Sequence, residues 1–340
     1  MSKRLVMCCD GTWNTAGQRS PTNVARMRDA IASRAADGIE QRVFYHEGVG
    51  TSRWERIRGG AFGFGLSRNV RDTYRFVVEN YDEGDELFFV GFSRGAFTAR
   101  STAGFVRNAG ILRREQAHRI DEGYSLYRND GGPDSAEAQA FRKAYAVSDE
   151  TLIRFIGVWD TVGALGVPNV GLPGTNLLNR RWAFHDTKLS SKVQSAFQAL
   201  AVDEARRPFE PTLWQHQAHA VDQELEQVWF VGDHCDVGGG YPDRELADIT
   251  FHWMTNRARA CGLEFKNAVT PLDPSLAMGR LHDSRTALYR LLPPSHRALG
   301  VKDPEHEYAA STDVERHKKG AYAPHNLTTY LDGTHQEMPI

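Results

Sequence analysis

Residues Leu87-Phe88-Phe89-Val90-Gly91-Phe92-Ser93-Arg94-Gly95-Ala96 join an apolar run to a Gly-x-Ser-x-Gly pentapeptide, and Thr98, Ala99 and Arg100 continue in a helix-compatible pattern. Few local arrangements accommodate this stretch. The spacing predicts a strand ending near Phe92, a sharp turn with Ser93 at its tip, and a helix that begins at once. Glycines at 91 and 95 leave room for strand and helix to approach without Cβ clashes. Such a turn presents the serine hydroxyl outward, which makes Ser93 a candidate nucleophile.

The preceding chain builds towards this unit. Leu5 to Cys9 reads as a first strand, ending in the turn residues Asp10-Gly11-Thr12-Trp13-Asn14. Pro21-Thr22-Asn23 then opens a capped helix carrying Val24, Met27 and Ile31. Arg42 to His46 reads as a second strand, and Val70, Tyr74, Phe76 and Val77 mark a second helix. The order β, α, β, α, β, α implies an α/β fold with a mainly parallel, doubly wound sheet. Beyond Ser93, a charged helical stretch from 113 to 145 precedes a strand at Leu152–Trp159, and a Gly/Pro/Asn-rich loop begins at Gly163. Segments 113–150 and 163–190 are expected to form a cap or lid, since loops of such length in a compact fold commonly rim a pocket. A helix is expected from about Lys188 to Asp203, a strand at Gln227–Val231, and a further helix from about Leu246 to Ala260. Residues 262–340 show Pro- and His-bearing loops with no clear organisation, and the whole of 1–340 reads as one domain.

The chain has 340 residues, 41% hydrophobic and 25% charged, enough to bury a large core. A formal net charge of −2 supplies no global attraction to nucleic acid or an anionic membrane, leaving only local patches for membrane contact. Met1-Ser2-Lys3-Arg4 leads into too short an apolar run for a signal peptide, so a cytoplasmic location is expected. Four cysteines, Cys8, Cys9, Cys235 and Cys261, form no disulfide framework. Cys8 and Cys9 should face opposite sides of their strand.

Ligands of open α/β sheets gather outside the carboxyl ends of the strands. Ser93, Asp160 and His234 each follow an apolar strand, in the chain order Ser, Asp, His used by one large class of acyl-transfer enzymes. His234 would take the Ser93 proton and return it to the leaving group, while Asp160 would fix the imidazole tautomer. The amide of Arg94 and that of Gly11 or Thr12 are the expected donors to a developing oxyanion. Asp10 and Asp236 are expected to brace their loops, Asp236 by bonding backbone amides of its own glycine loop. His46 and the His185-Asp186 pair are alternatives for the base.

Other chemistries fit less well. Asp233-His234-Cys235-Asp236 offers ligand atoms, yet no second histidine or thiolate stands at a regular spacing, so no metal is expected. Asp10-Gly11-Thr12 matches the end of an aspartyl-phosphatase start, but Cys8 occupies the position of the nucleophilic Asp. No P-loop or dinucleotide fingerprint is present, and no cofactor is expected.

Taken together, Cys9-Asp10-Gly11-Thr12-Trp13-Asn14, Gly48-Val49-Gly50-Thr51, Gly91-Phe92-Ser93-Arg94-Gly95-Ala96, Trp159-Asp160-Thr161-Val162 and His234-x-Asp236-Val237-Gly238-Gly239-Gly240 resemble the α/β-hydrolase domain family of the type VI secretion phospholipase effectors. The resemblance covers about the first 245 residues. It implies an α/β-hydrolase-like fold and a triad of Ser93, Asp160 and His234. It also implies cleavage of carboxylic esters, phospholipid acyl esters among them, and export by type VI secretion without a signal peptide. Delivery and immunity proteins would then be partners. Phe62, Phe64, Leu172, Leu177 and Trp182 could supply an apolar face for lipid. A thioesterase or peptidase on the same triad, and a non-catalytic binding module on the same fold, are the rival readings.

Overall fold

In the first strand, Leu5, Met7 and Cys9 join one apolar cluster while Val6 and Cys8 join another. A strand buried on both sides needs cover on both, as the inner strands of parallel sheets do. The computed structural model describes residues 2–11, 18–48, 61–129, 131–163, 188–268, 270–285, 289–290, 293–320 and 322–340, and only the backbone of 61–64. Among these residues the order begins β1 (Lys3–Cys9), α1 (Asn23–Ala30), β2 (Glu40–His46), α2 (Ala61–Asn80), β3 (Glu86–Phe92) and α3 (Arg94–Ala109). Helices α4 (Ile120–Tyr127) and α5 (Ala136–Tyr145) follow, then β4 (Ile153–Trp159), β5 (Val193–Ala201) and β6 (Glu224–Phe230). The order continues with α6 (His234–Gly238), α7 (Glu245–Ala260), β7 (Glu307–Ala310), α8 (Ser311–Lys318), α9 (His325–Asp332) and β8 (Glu337–Met338).

The strands form an eight-stranded sheet in the order β2-β1-β3-β4-β5-β6-β7-β8, with every described pair parallel. Helices α1 and α7 cover one face through Val24, Met27, Leu246, Ile249, Trp253 and Met254. On the other face α2 and α3 pack through Val70, Tyr74, Val77, Ala99 and Phe105, and the 113–150 stretch adds Ile120, Tyr127 and Phe141 to the same core. This is an α/β-hydrolase-like architecture, and because all strands run the same way, their carboxyl ends line up along one edge. No described helix is long and apolar enough to cross a membrane.

One expectation needs correction. The segment read as a helix over 188–203 contains β5, paired with β4 on one side and β6 on the other. Its Ala, Gln and Leu content favours helix locally, but a segment enclosed between two parallel strands adopts the conformation that completes the ladder. The stretch 262–340, which showed no pattern, adds β7 and β8 to the sheet edge, with α8 and α9 between them. Most of the 163–190 loop lies outside the described residues.

Candidate active site

Ser93 follows β3 directly and precedes the first residue of α3. Its φ of 58° and ψ of −122° place it far from helical or extended values. At the cap of a helix a serine side chain ordinarily accepts an amide of the first turn, but Ser93 makes no such bond. Its backbone N–H donates to the Trp159 carbonyl at 3.0 Å, which ties the turn to the end of β4. At Gly91 a Cβ would collide with the backbone of Gly95 and Ala96, so the tight turn requires glycine there.

Asp160 follows β4 in the same way, with φ of 40°. Among the described residues, Ser93 and Asp160 are the only non-glycine residues with positive φ. Such strain persists only where the surroundings enforce it. The Asp160 carboxylate is fully buried, and Oδ1 accepts the Ala201 N–H at 3.1 Å from the end of β5. Its Oδ2 lies 2.5 Å from His234 Nδ1.

The expected glycine-rich loop around His234 instead opens with one turn of helix. Asp233 caps α6, its side chain accepting the N–H groups of Cys235 at 2.9 Å and Asp236 at 3.0 Å, while Asp236 accepts the Asp233 N–H at 3.1 Å. This reciprocal box makes His234 the first helical residue and fixes where its ring leaves the backbone. The ring lies 4.6 Å from that of Phe92, the residue before Ser93, and meets Phe209 edge-on at 5.0 Å. Glu204, in the segment that follows β5, accepts the N–H of the same residue at 3.4 Å.

The structure thus brings Asp160 and His234 into contact and sets Ser93 on the adjoining strand end. His46 lies on the edge strand β2 with Nδ1 2.7 Å from the Glu47 carbonyl, and His185 falls outside the described residues. Asp10 accepts the Thr22 and Tyr45 hydroxyls, each at 2.7 Å, and the Gly11 N–H at 2.6 Å. The Gly11 amide is therefore engaged by its neighbour's carboxylate, and Thr12 lies outside the described residues. Asp236 accepts the Asp233 N–H within its own turn, and it also reaches the C-terminal segment through the N–H of His282 at 3.1 Å and its Nδ1 at 2.7 Å.

Sequence reasoning missed Arg297. Its guanidinium donates from Nη1 to Asp160 Oδ1 at 2.6 Å and from Nη2 to Oδ2 at 3.0 Å, across 137 residues of chain. Burial alone would raise the Asp160 carboxyl, but Arg297 and then His234 outweigh it and hold the group well below the usual carboxylate range. Asp233 behaves oppositely. Burial, then the charge of Asp236, push its carboxyl up to about 7 despite the amide and Tyr241 bonds it accepts. Burial also draws the Arg94 guanidinium, beside Tyr289, down to about 10. Asp233, His234 and Asp236 each spend their side chains on protein partners. Among the described residues no group of three or more His, Cys, Asp or Glu side chains is arranged to hold a metal.

The model of a family described as T6SS, phospholipase effector Tle1-like, catalytic domain matches residues 3–257. The chain belongs to this family. Ser93, Asp160 and His234 all lie within the Tle1-like region, whereas Arg297 lies beyond it. The chain is also 25% identical over 230 residues to the uncharacterized protein YEL023C of Saccharomyces cerevisiae, covering 61% of this chain and 32% of the yeast protein. Among solved structures, an uncharacterized protein from Pseudomonas aeruginosa aligns with a TM-score of 0.48 and 17% identity, covering 78% of this chain and 46% of that one. The Tle1 effector bound to the VgrG spike of the type 6 secretion system aligns with a TM-score of 0.35 and 18% identity, covering 72% and 52%. This Tle1-like chain therefore spans about a third of the yeast protein and about half of each solved chain.

Proposed function

We propose that the chain is a serine hydrolase that cleaves carboxylic esters, with phospholipid acyl esters as the substrate class favoured by its Tle1-like family. The observation that carries this reading is the pairing of strained Ser93 and Asp160 turns with a buried His234 that contacts Asp160 at 2.5 Å. Backbone strain of this kind clusters at active sites.

In the proposed reaction, His234 Nε2 takes the Ser93 proton as Oγ attacks the acyl carbon. The ester C–O bond then breaks, and the same proton passes to the departing alkoxide. Water repeats the sequence on the acyl-enzyme and releases the fatty acid. Asp160 holds Nδ1 and stabilises the imidazolium, so neither metal nor organic cofactor is called upon. The amides of a helix's first turn point out of its N-terminal end, so the Arg94 N–H is our first donor to the oxyanion. Gly11 could serve as a second only by exchanging its bond to Asp10, and Thr12 is the other proposed donor. Export by a type VI machine, with an immunity partner in the producing cell, is the setting in which this activity would act as a toxin.

The test is fatty-acid release from phosphatidylethanolamine/phosphatidylglycerol vesicles beside hydrolysis of p-nitrophenyl butyrate, for wild type and Ser93→Ala. Ser93-dependent release from vesicles supports a phospholipase. Cleavage of the soluble ester alone limits the protein to an esterase, and activity that survives in Ser93→Ala sinks the serine mechanism.

A further inference from the structure

Arg297 reaches Asp160 from a loop that the fold holds at both ends. On one side the Ser295 N–H donates to the Ala205 carbonyl at 2.9 Å. On the other, the buried Glu307 carboxylate of β7 accepts the N–H groups of Gly300 at 2.8 Å and of Lys302 and Asp303 at 2.9 Å each. Glu307 also accepts Trp229 Nε1 of β6 at 3.0 Å, which anchors the loop to the sheet. Between these anchors the guanidinium is nearly enclosed, only 2% exposed. Besides its two bonds to Asp160, Nη1 donates to the Ala201 carbonyl at 2.7 Å and Nη2 to the Phe209 carbonyl at 2.6 Å.

We infer that Arg297 is a positioning residue for the reaction proposed above, a fork from outside the family-matched region that aims the Asp160 carboxylate at His234 and offsets its charge. This rests on the Ser93, His234 and Asp160 reading. A planar guanidinium gripping both carboxylate oxygens restrains rotation of the group, which a point charge cannot do. Its positive charge also limits how strongly Asp160 favours the imidazolium. Among the described residues the other titratable and charged groups facing His234 are Glu204, itself bonded to Arg206 at 2.7 Å, and Asp233 at the cap of α6, whose carboxyl is pushed up to about 7. All three of these remain when Arg297 is changed.

The experiment measures kcat and KM for p-nitrophenyl butyrate against pH in wild type, Arg297→Gln and Arg297→Lys, with circular dichroism to establish folding. Without the cation the Asp160 charge stabilises the imidazolium more strongly. Arg297→Gln should therefore move the acidic limb of kcat/KM upward by about one pH unit. Its kcat should fall by about 10- to 100-fold with KM little changed, because the loss is in positioning. Arg297→Lys should keep the limb near its wild-type position while recovering only part of kcat.

A folded Arg297→Gln enzyme with an unmoved limb overturns the inference. If that variant does not fold, Arg297→Lys decides: reduced kcat with an unmoved limb supports a charged fork, and wild-type kcat overturns it. Wild-type activity that survives in Ser93→Ala overturns the serine mechanism and this inference together, whereas Ser93-dependent activity with an unmoved limb overturns the Arg297 role alone.

Discussion

The α-carbon of Gly95 packs so closely beneath the end of β1 that a Cβ there would overlap the carbonyl oxygens of Cys9 and Asp10. The first turn of α3 thus rests on the backbone of the neighbouring strand, and neither side can yield by a side-chain rotation. Gly95→Ala should cost about 3 kcal/mol or more, the upper part of the range for overpacking a rigid site. Gly163→Ala, where a Cβ meets nothing among the described residues, should stay within about 0.5 kcal/mol. Urea unfolding midpoints of the two variants check this, and equal midpoints would contradict the close approach.

Asp160→Asn preserves volume but replaces an acceptor of His234 Nδ1 and the partner of Arg297 with an amide. In the proposed mechanism His234 then loses the group that fixes its tautomer, and kcat for p-nitrophenyl butyrate should drop by roughly 10³- to 10⁴-fold. Stability should fall as well, because Arg297 would keep its charge with only carbonyl partners, and stranding one member of a buried pair costs about 3–5 kcal/mol. Turnover measured where circular dichroism shows the variant folded separates the two effects. Near-wild-type turnover would remove Asp160 from the mechanism.

The parts of the site that could be read from the chain are those whose signal is local. Ser93, Asp160 and His234 each stand just past an apolar run, and in a parallel sheet that position alone assigns them to one edge. Cys8 and Cys9 fall on opposite faces because strand periodicity requires it. Arg297 carries no comparable mark. It follows Pro293-Pro294-Ser295-His296, which signals only a turn, and its partner is 137 residues away. The helix expected near 188–203 failed for the converse reason: Ala196, Gln198, Ala199 and Leu200 have helical preferences, yet β4 and β6 take the segment into the sheet. His234 reads as a loop residue in the sequence because its signal is a single capping box, Asp233 with Asp236, too short to register as a helical period.

That capping box also gives a pH dependence of definite sign. An unfolded aspartate titrates at about 4, whereas folded Asp233 is pushed up to about 7 by burial and by Asp236. Between those values the folded chain binds the extra proton, so the contribution of Asp233 to stability is complete below the unfolded value and is lost as pH rises through the folded one. The loss is on the order of 1.4 kcal/mol for each unit by which the folded pKa exceeds the unfolded. Asp160 does not mask this, since Arg297 and His234 hold it below the ordinary carboxylate range. Asp233→Asn keeps an oxygen for the Cys235 and Asp236 amides but cannot ionise, so it should gain stability over wild type as pH is raised from about 5 to about 8. Urea midpoints for both proteins across that interval measure the difference. Parallel curves would mean that Asp233 is already ionised throughout, and that α6 presents His234 with a charged cap at every pH tested.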